Sequence, residues 1–146
     1  MQDLISVIEP QRRQVGQGCN METKSGEVSV LYVDDELSAR EVMAKLLRWK
    51  GLAVHTAGDG RAALQLFRHH KPDIIVTDIM MPEMNGIEMS REVRRMCSKI
   101  PIIIASAYLH EQYLAELKSL GISHFIQKPI HLERLVNFIE NCCMEP

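Results

Sequence analysis

Asp73-Ile74-Ile75-Val76-Thr77-Asp78-Ile79-Met80-Met81-Pro82-Glu83-Met84-Asn85-Gly86 is the stretch whose reading decides the fold. A short apolar run ends on the acid Asp78 and enters a loop punctuated by Pro82 and Gly86. Runs of this length between turn signals read as strands buried on both faces. A carboxylate at the carboxyl end of such a strand stands in the crevice where open α/β sheets bind ligands. One other place has the same design: Val28-Ser29-Val30-Leu31-Tyr32-Val33, followed by Asp34 and Asp35. If the two strands are neighbours, three carboxylates meet in one pocket.

Working outward, the chain alternates between two periodicities. Strands are expected over 28–33, 52–57, 74–77, 101–105 and 122–127. Helices are expected over 36–50, after the Asp59 cap, after Gly86, over 109–120 and over 132–143. The first carries Ala39, Val42, Met43, Leu46 and Leu47 at helical spacing and stops at Gly51. The helix capped by Asp59 shows Ala63, Leu66 and Phe67 and ends before Pro72. Pro101 opens its strand, where a missing N–H is tolerated. Five strands alternating with five helices predict an α/β, three-layer, flavodoxin-like (βα)5 domain. Right-handed crossovers leave few topologies for its parallel five-stranded sheet, and the order 2-1-3-4-5 is one of the two common ones; in that order the switch point falls between strands one and three, so the acids fall side by side.

Residues 1–27 read differently. Pro10, Gly16, Gly18 and Gly26 interrupt any long element, and no basic segment leads into an apolar core. A mobile or loosely docked tail is expected there, or a segment that binds a partner, ahead of a domain over 28–146; Met21 is an alternative start. The 146 residues suffice for one domain with a real core and are too few for two ordinary ones. A net charge of −2 offers no basic field to nucleic acid, and the apolar runs are strand-length, so no membrane partner is expected. Cys19, Cys97, Cys142 and Cys143 contain no Cys-x-x-Cys pair, and with no secretory signal they read as reduced thiols in a cytoplasmic protein. The six histidines show no ligand-like spacing, and Trp49 is expected to half-cover the surface or to mark a partner face.

The strand ends, taken in turn, present Asp34 with Asp35, then Asp78, then Ser106 with Ala107, then Lys128 with Pro129. With the loop from Asp78 through Pro82 to Gly86, this set resembles the receiver domain of bacterial two-component response regulators, the chemotaxis-type receiver. The resemblance covers about 28–143 and is specific because five polar positions each close a strand in the right order. It implies that Asp78 is the phospho-acceptor, that Asp35 and Asp78 ligate Mg²⁺ with the backbone carbonyl of Met80, and that Asp34 acts largely through water. It implies that Lys128 pairs with the phosphoryl group, that Ser106 donates its hydroxyl, and that small Ala107 keeps the approach open. Phe125 matches the family's rotating aromatic switch, though phenylalanine there lacks the commoner tyrosine's hydroxyl, and a cis Lys128–Pro129 bond is expected. The implied partners are a sensor histidine kinase or histidine phosphotransfer protein, and a downstream effector reached through the faces over 109–120, 122–127 and 132–143. Self-association to a homodimer through that face is compatible with the residues.

The chemistry is consistent with that reading. Packed carboxylates repel unless a cation joins them, and an oxygen-only, incomplete shell suits Mg²⁺. An ionised carboxylate can then attack phosphorus, with an ammonium and a hydroxyl meeting the negative oxygens. Taken singly, the residues have plainer uses: Asp34, Asp35 or Glu36 as a helix cap, Asp78 as a turn acid, Lys128 as a solvated lysine, Ser106 as a cap, Phe125 as core. The function expected is a phosphorylation-activated signalling switch and not an enzyme in the ordinary sense, although the domain takes part in its own phosphorylation and dephosphorylation. Two alternatives are a non-phosphorylated interaction module of the same fold and a haloacid-dehalogenase-like phosphatase. The latter lacks its general acid here, because the residue two after Asp78 is Met80. Met80 and Tyr108, each two residues beyond a site position, offer no carboxylate or amide to a hydrolytic water, so slow autodephosphorylation is expected.

Overall fold

A computed structural model describes residues 26–144. The elements alternate as β1 (Ser29–Val33), α1 (Leu37–Trp49), β2 (Ala53–Ala57), α2 (Gly60–His70), β3 (Ile74–Thr77), α3 (Gly86–Met96), β4 (Ile102–Ser106), α4 (Glu111–Ser119), β5 (His124–Gln127) and α5 (Leu132–Met144). The five strands are all parallel in the order β2-β1-β3-β4-β5. This is the flavodoxin-like topology anticipated from the alternation, with the switch point between β1 and β3. The tail expected over 1–27 lies, apart from Gly26 and Glu27, outside the described residues.

Period-two alternation splits the core into two layers. Leu31, Val33, Ile75, Ile102 and Ile104 point to one face, where Leu64 and Phe67 of α2, Met89 and Val93 of α3 and Leu117 of α4 meet them. Val30, Tyr32, Ile74, Val76 and Ile103 point to the other, against Ala44 and Leu47 of α1 and Leu135 and Ile139 of α5. β3 is buried along its whole length, which explains its unbroken apolar run. Each fully buried Ile or Leu contributes roughly 1.5–3 kcal/mol of transfer free energy, so this sheet is the rigid part of the molecule.

Several boundaries differ from expectation by one or two residues, and local hydrogen bonding accounts for two of the shifts. The first helix begins at Leu37 because Glu36 is its N-cap, its carboxylate accepting from the Ala39 N–H at 2.8 Å. β5 starts at His124, two residues late, because the Ile122 N–H is already donated to the Leu117 carbonyl at the end of α4. β4 runs one residue further, so Ser106 is the last residue of the strand. Asp59 caps α2 as expected, accepting from the Ala62 N–H at 2.9 Å, and α3 carries a reciprocal capping box between Asn85 and Glu88. Trp49 is 77% exposed, more than the half-cover expected, with the Lys50 ammonium 5.7 Å from its ring. Cys97 is disulfide-bonded, against the expectation of reduced thiols throughout, while Cys142 and Cys143 are buried thiols of α5.

Candidate functional site

The register of the sheet builds the site. Val33 pairs with Thr77, the Asp78 N–H donates to the Val33 carbonyl at 3.1 Å, and the Asp34 N–H donates to the Ala57 carbonyl at 3.1 Å. Asp34 and Asp78 therefore leave adjacent strands at the same height. Ser106 pairs with Gln127, and the Lys128 N–H donates to the Ser106 carbonyl at 2.9 Å, which brings β5's lysine over the same edge. The Lys128–Pro129 peptide is cis, as anticipated.

The three acids converge: one carboxylate oxygen from each of Asp34, Asp35 and Asp78 lies within 4.8 Å of the others. Asp34 is 2% exposed, Asp78 is half-buried and Asp35 stands at the open mouth. The Lys128 ammonium donates to Asp34 Oδ2 at 2.9 Å and to Asp78 Oδ2 at 2.7 Å. The second oxygen of each pair is tied to its own loop. Asp34 Oδ1 accepts from the Glu36 N–H at 3.0 Å, and Asp78 Oδ1 from the Ile79 N–H at 2.6 Å. Burial alone would lower the Lys128 pKa, but its hydrogen bonds to Asp78 and Asp34, with their charges, raise it above the usual lysine value. The lysine is therefore a fixed cation between two acids.

This geometry decides several of the plainer readings. Glu36, not Asp34 or Asp35, caps α1 through its side chain. His110 occupies the N-cap of α4, so Ser106 is no cap. Lys128 is not a solvated lysine, since it holds two ion pairs. Ser106 is 2% exposed at the end of β4, while Ala107 is exposed beside it, its carbonyl 3.5 Å from Gln127 Nε2. Phe125 is half-buried against the core layer of α2, α3 and α4. The Met80 side chain is 59% exposed on the rim, and the Tyr113 hydroxyl lies 4.0 Å from its sulfur.

Sequence reasoning missed the supports beneath these groups. Arg40, one turn into α1, donates from Nη1 to the Asp34 carbonyl at 2.7 Å and fixes the β1–α1 loop. The Thr77 hydroxyl, fully buried, donates to the Asp78 carbonyl at 2.9 Å. Gly86 lies so close to that loop that a Cβ there would fall 2.0 Å from the Asp78 carbonyl oxygen. Gly60 plays the same part from α2, where a Cβ would meet the Met84 carbonyl at 2.6 Å. The glycines are visible in the sequence as turn signals; Arg40 and Thr77 carry no signal of their role.

The donor set is chemically coherent. Three carboxylate oxygens on one side of a pocket form a hard, incomplete shell of the kind that suits Mg²⁺ with several retained waters. Among the described residues the cluster is made of carboxylates alone, with no histidine or cysteine to favour a softer metal.

Comparison with known proteins gives the same reading of the chain. The family model described as "Response regulator receiver domain" matches residues 30–140. The regulatory protein AtoC of Escherichia coli is 35% identical over 106 residues, covering 73% of this chain and 23% of that protein. The chemotaxis response regulator CheY4 of Vibrio cholerae superposes with a TM-score of 0.72 at 30% identity, covering 80% of this chain and 98% of that one. The response regulator TrrA of Thermotoga maritima, whose structure is a complex with Mg(2+)-BeF, has a TM-score of 0.70 at 29% identity, covering 79% of this chain and 98% of that one. The chain spans less than half the length of the curated relatives it matches.

Proposed function

The chain belongs to the receiver-domain family of response regulators, and from that premise we propose that it is a phosphorylation-controlled switch whose acceptor is Asp78. The observation that carries this reading is the Lys128 ammonium held at 2.7 Å from Asp78 and 2.9 Å from Asp34, with Asp35 completing the acid cluster. A sensor histidine kinase or histidine phosphotransfer protein is the donor. The Asp78 carboxylate attacks phosphorus, the P–N bond to the donor imidazole breaks, and that nitrogen leaves as neutral imidazole after taking a proton from solvent. Asp35, Asp78 and the Met80 carbonyl would hold Mg²⁺ directly and Asp34 largely through water, and the bound ion would supply positive charge to balance the acids and the incoming phosphate. Lys128 follows the charge from the carboxylate to the phosphoryl oxygens, and the Ser106 hydroxyl, at the end of the neighbouring strand, donates a hydrogen bond to them.

Movement of Ser106 toward the phosphoryl group lets Phe125 turn inward, past small Ala107. Their displacement reshapes the face of α4, β5 and α5, which an effector protein or a second copy of the chain reads. Among the described residues no helix is long and apolar enough to cross a membrane, and we place the switch in the cytoplasm with its kinase.

The experiment is incubation with Mg²⁺ and acetyl phosphate or phosphoramidate, followed by intact-mass analysis of the native chain and of Asp78→Asn. One added phosphoryl group on the native chain and none on the variant supports the reading. Multiple turnover with phosphate release indicates the phosphatase alternative, and an unchanged mass indicates the inert module. Either outcome overturns the proposal.

A further inference from the structure

At the amino-terminal edge of the sheet, opposite the acid cluster, the turns after α3 and α4 enclose a cavity of about 200 Å³. Its polar wall is made by Arg94, Ser98, Lys99, Ser123 and His124, with the Cys142 thiol beside them, and among the described residues none that lines it is acidic. Cys142 Sγ lies 3.7 Å from His124 Nε2, so the thiol and the imidazole share one side of the space.

Arg94 is the informative member. Its Nε donates to the Leu120 carbonyl at 2.7 Å, and its Nη1 donates to the Ile100 carbonyl at 2.8 Å and to the Cys97 carbonyl at 3.4 Å. All three partners are neutral. Burial pushes the Arg94 pKa below its usual value, and among the described residues no acid pairs with it. Among the described residues Nη2 carries no hydrogen bond, and Lys99 and His124 line the same cavity. Clamping the two turns uses only Nε and Nη1. It does not call on Nη2, the lysine or the two serine hydroxyls, and the His124 imidazole, beside the Cys142 thiol, faces the same space.

We propose that this cavity binds a small oxyanion, a phosphate or a short carboxylate, with Arg94 and Lys99 as charge partners and Ser98, Ser123 and His124 as hydrogen-bond donors. An anion there would provide the counter-charge that the half-buried guanidinium lacks, and charge-assisted bonds to it are the strong kind. The volume limits the ligand. Pockets for drug-sized molecules run to about 300–1,000 Å³, so a nucleotide is too large, whereas a phosphate with a few waters fits. The site shares no residue with the acid cluster, so it stands whether or not Asp78 is phosphorylated.

The test is an amide NMR titration of the full chain in metal-free buffer at constant ionic strength, one arm with inorganic phosphate and one with acetate. The expected result is saturable shifts at Arg94, Lys99, Gly121 and His124 with a Kd of order 1–10 mM in at least one arm. The tighter arm identifies the ligand class. Lys99 is exposed and makes no ion pair among the described residues, so its variants keep the fold. Lys99→Gln should weaken binding about two- to fivefold, and Lys99→Glu should abolish it. The proposal is overturned by the absence of saturable shifts in both arms, or by shifts that Lys99→Glu leaves intact.

Discussion

Replacing Lys128 with methionine keeps most of the side-chain volume and removes the ammonium that sits 2.9 Å from Asp34 and 2.7 Å from Asp78. Two effects follow. The chain loses two charge-assisted hydrogen bonds, each worth about 1.5–3 kcal/mol when well shielded. It also leaves Asp34, 2% exposed, facing Asp78 with no cation between them. Removing one partner of a fully buried ion pair costs about 3–5 kcal/mol. The Lys128 side chain is 25% exposed, so water screens part of the interaction and the expected loss falls to about 2–3 kcal/mol. For a chain of this length that is a fall in Tm of roughly 6–12 °C, read by circular dichroism or calorimetry in chelator. The second half of the prediction is the response to Mg²⁺. A divalent ion bound at tenfold its Kd stabilises by about 1.4 kcal/mol. In native protein it must compete with the ammonium for the acids, whereas in Lys128→Met it does not. Mg²⁺ should therefore raise the Tm of the variant more than that of the native chain and recover part of the loss. If Lys128→Met unfolds within about 0.5 kcal/mol of native protein in chelator, and Mg²⁺ adds the same increment to both, the lysine does not balance the acids and the argument for the site fails.

Three further outcomes are expected. Gly86→Ala would put a Cβ 2.0 Å from the Asp78 carbonyl oxygen, so the loop must move; a loss of roughly 2–4 kcal/mol in denaturant unfolding is expected, together with slower phosphorylation by acetyl phosphate. Native stability would contradict the close approach. Met80→Asn with Tyr108→Glu should shorten the acyl-phosphate lifetime several-fold in a stopped acetyl phosphate experiment, since both side chains stand exposed on the rim and gain a polar group there; an unchanged lifetime would show that neither position guides the water. Tyr32 is buried and its pKa is pushed up to about 12 by burial first and by the Asp34 charge second. A phenol that stays neutral in the fold but ionises near pH 10 when unfolded costs stability as pH rises between those values, up to about 2–3 kcal/mol. Urea unfolding should show that loss above pH 10, and Tyr32→Phe should lessen it. The portion that persists belongs to Lys128, whose raised pKa lets its contribution fade over the same range.

What could be read in advance, and what could not, separates along one physical line. The parallel three-layer architecture followed from alternation, and right-handed crossovers cut the strand orders to a few, of which the observed one is common. Asp34, Asp35, Asp78, Ser106 and Lys128 could be named because strand ends are periodic and local, and each residue lies one or two positions past an apolar run. The partner of Lys128 was harder. Its reach to Asp34 as well as Asp78 depends on side-chain geometry across three strands, which no spacing encodes. Arg40 was invisible for a similar reason, since an arginine on the first turn of a helix reads as solvated surface until the Asp34 carbonyl is seen 2.7 Å away.

Arg94, which the sequence did not single out, is a further case of the same kind. On α3 it lies in the last turn, where a basic residue complements the helix dipole, and nothing local suggests more. The fold folds it back over the turns at Ile100 and Leu120, so its charge meets three carbonyls and a basic cavity and does not lie in open water. A half-buried cation carries a desolvation cost that an anion in the cavity would offset and a clamp alone would leave standing. That is the asymmetry the anion titration measures. If phosphate and acetate both leave the Arg94 amide unmoved, the guanidinium is a clamp after all.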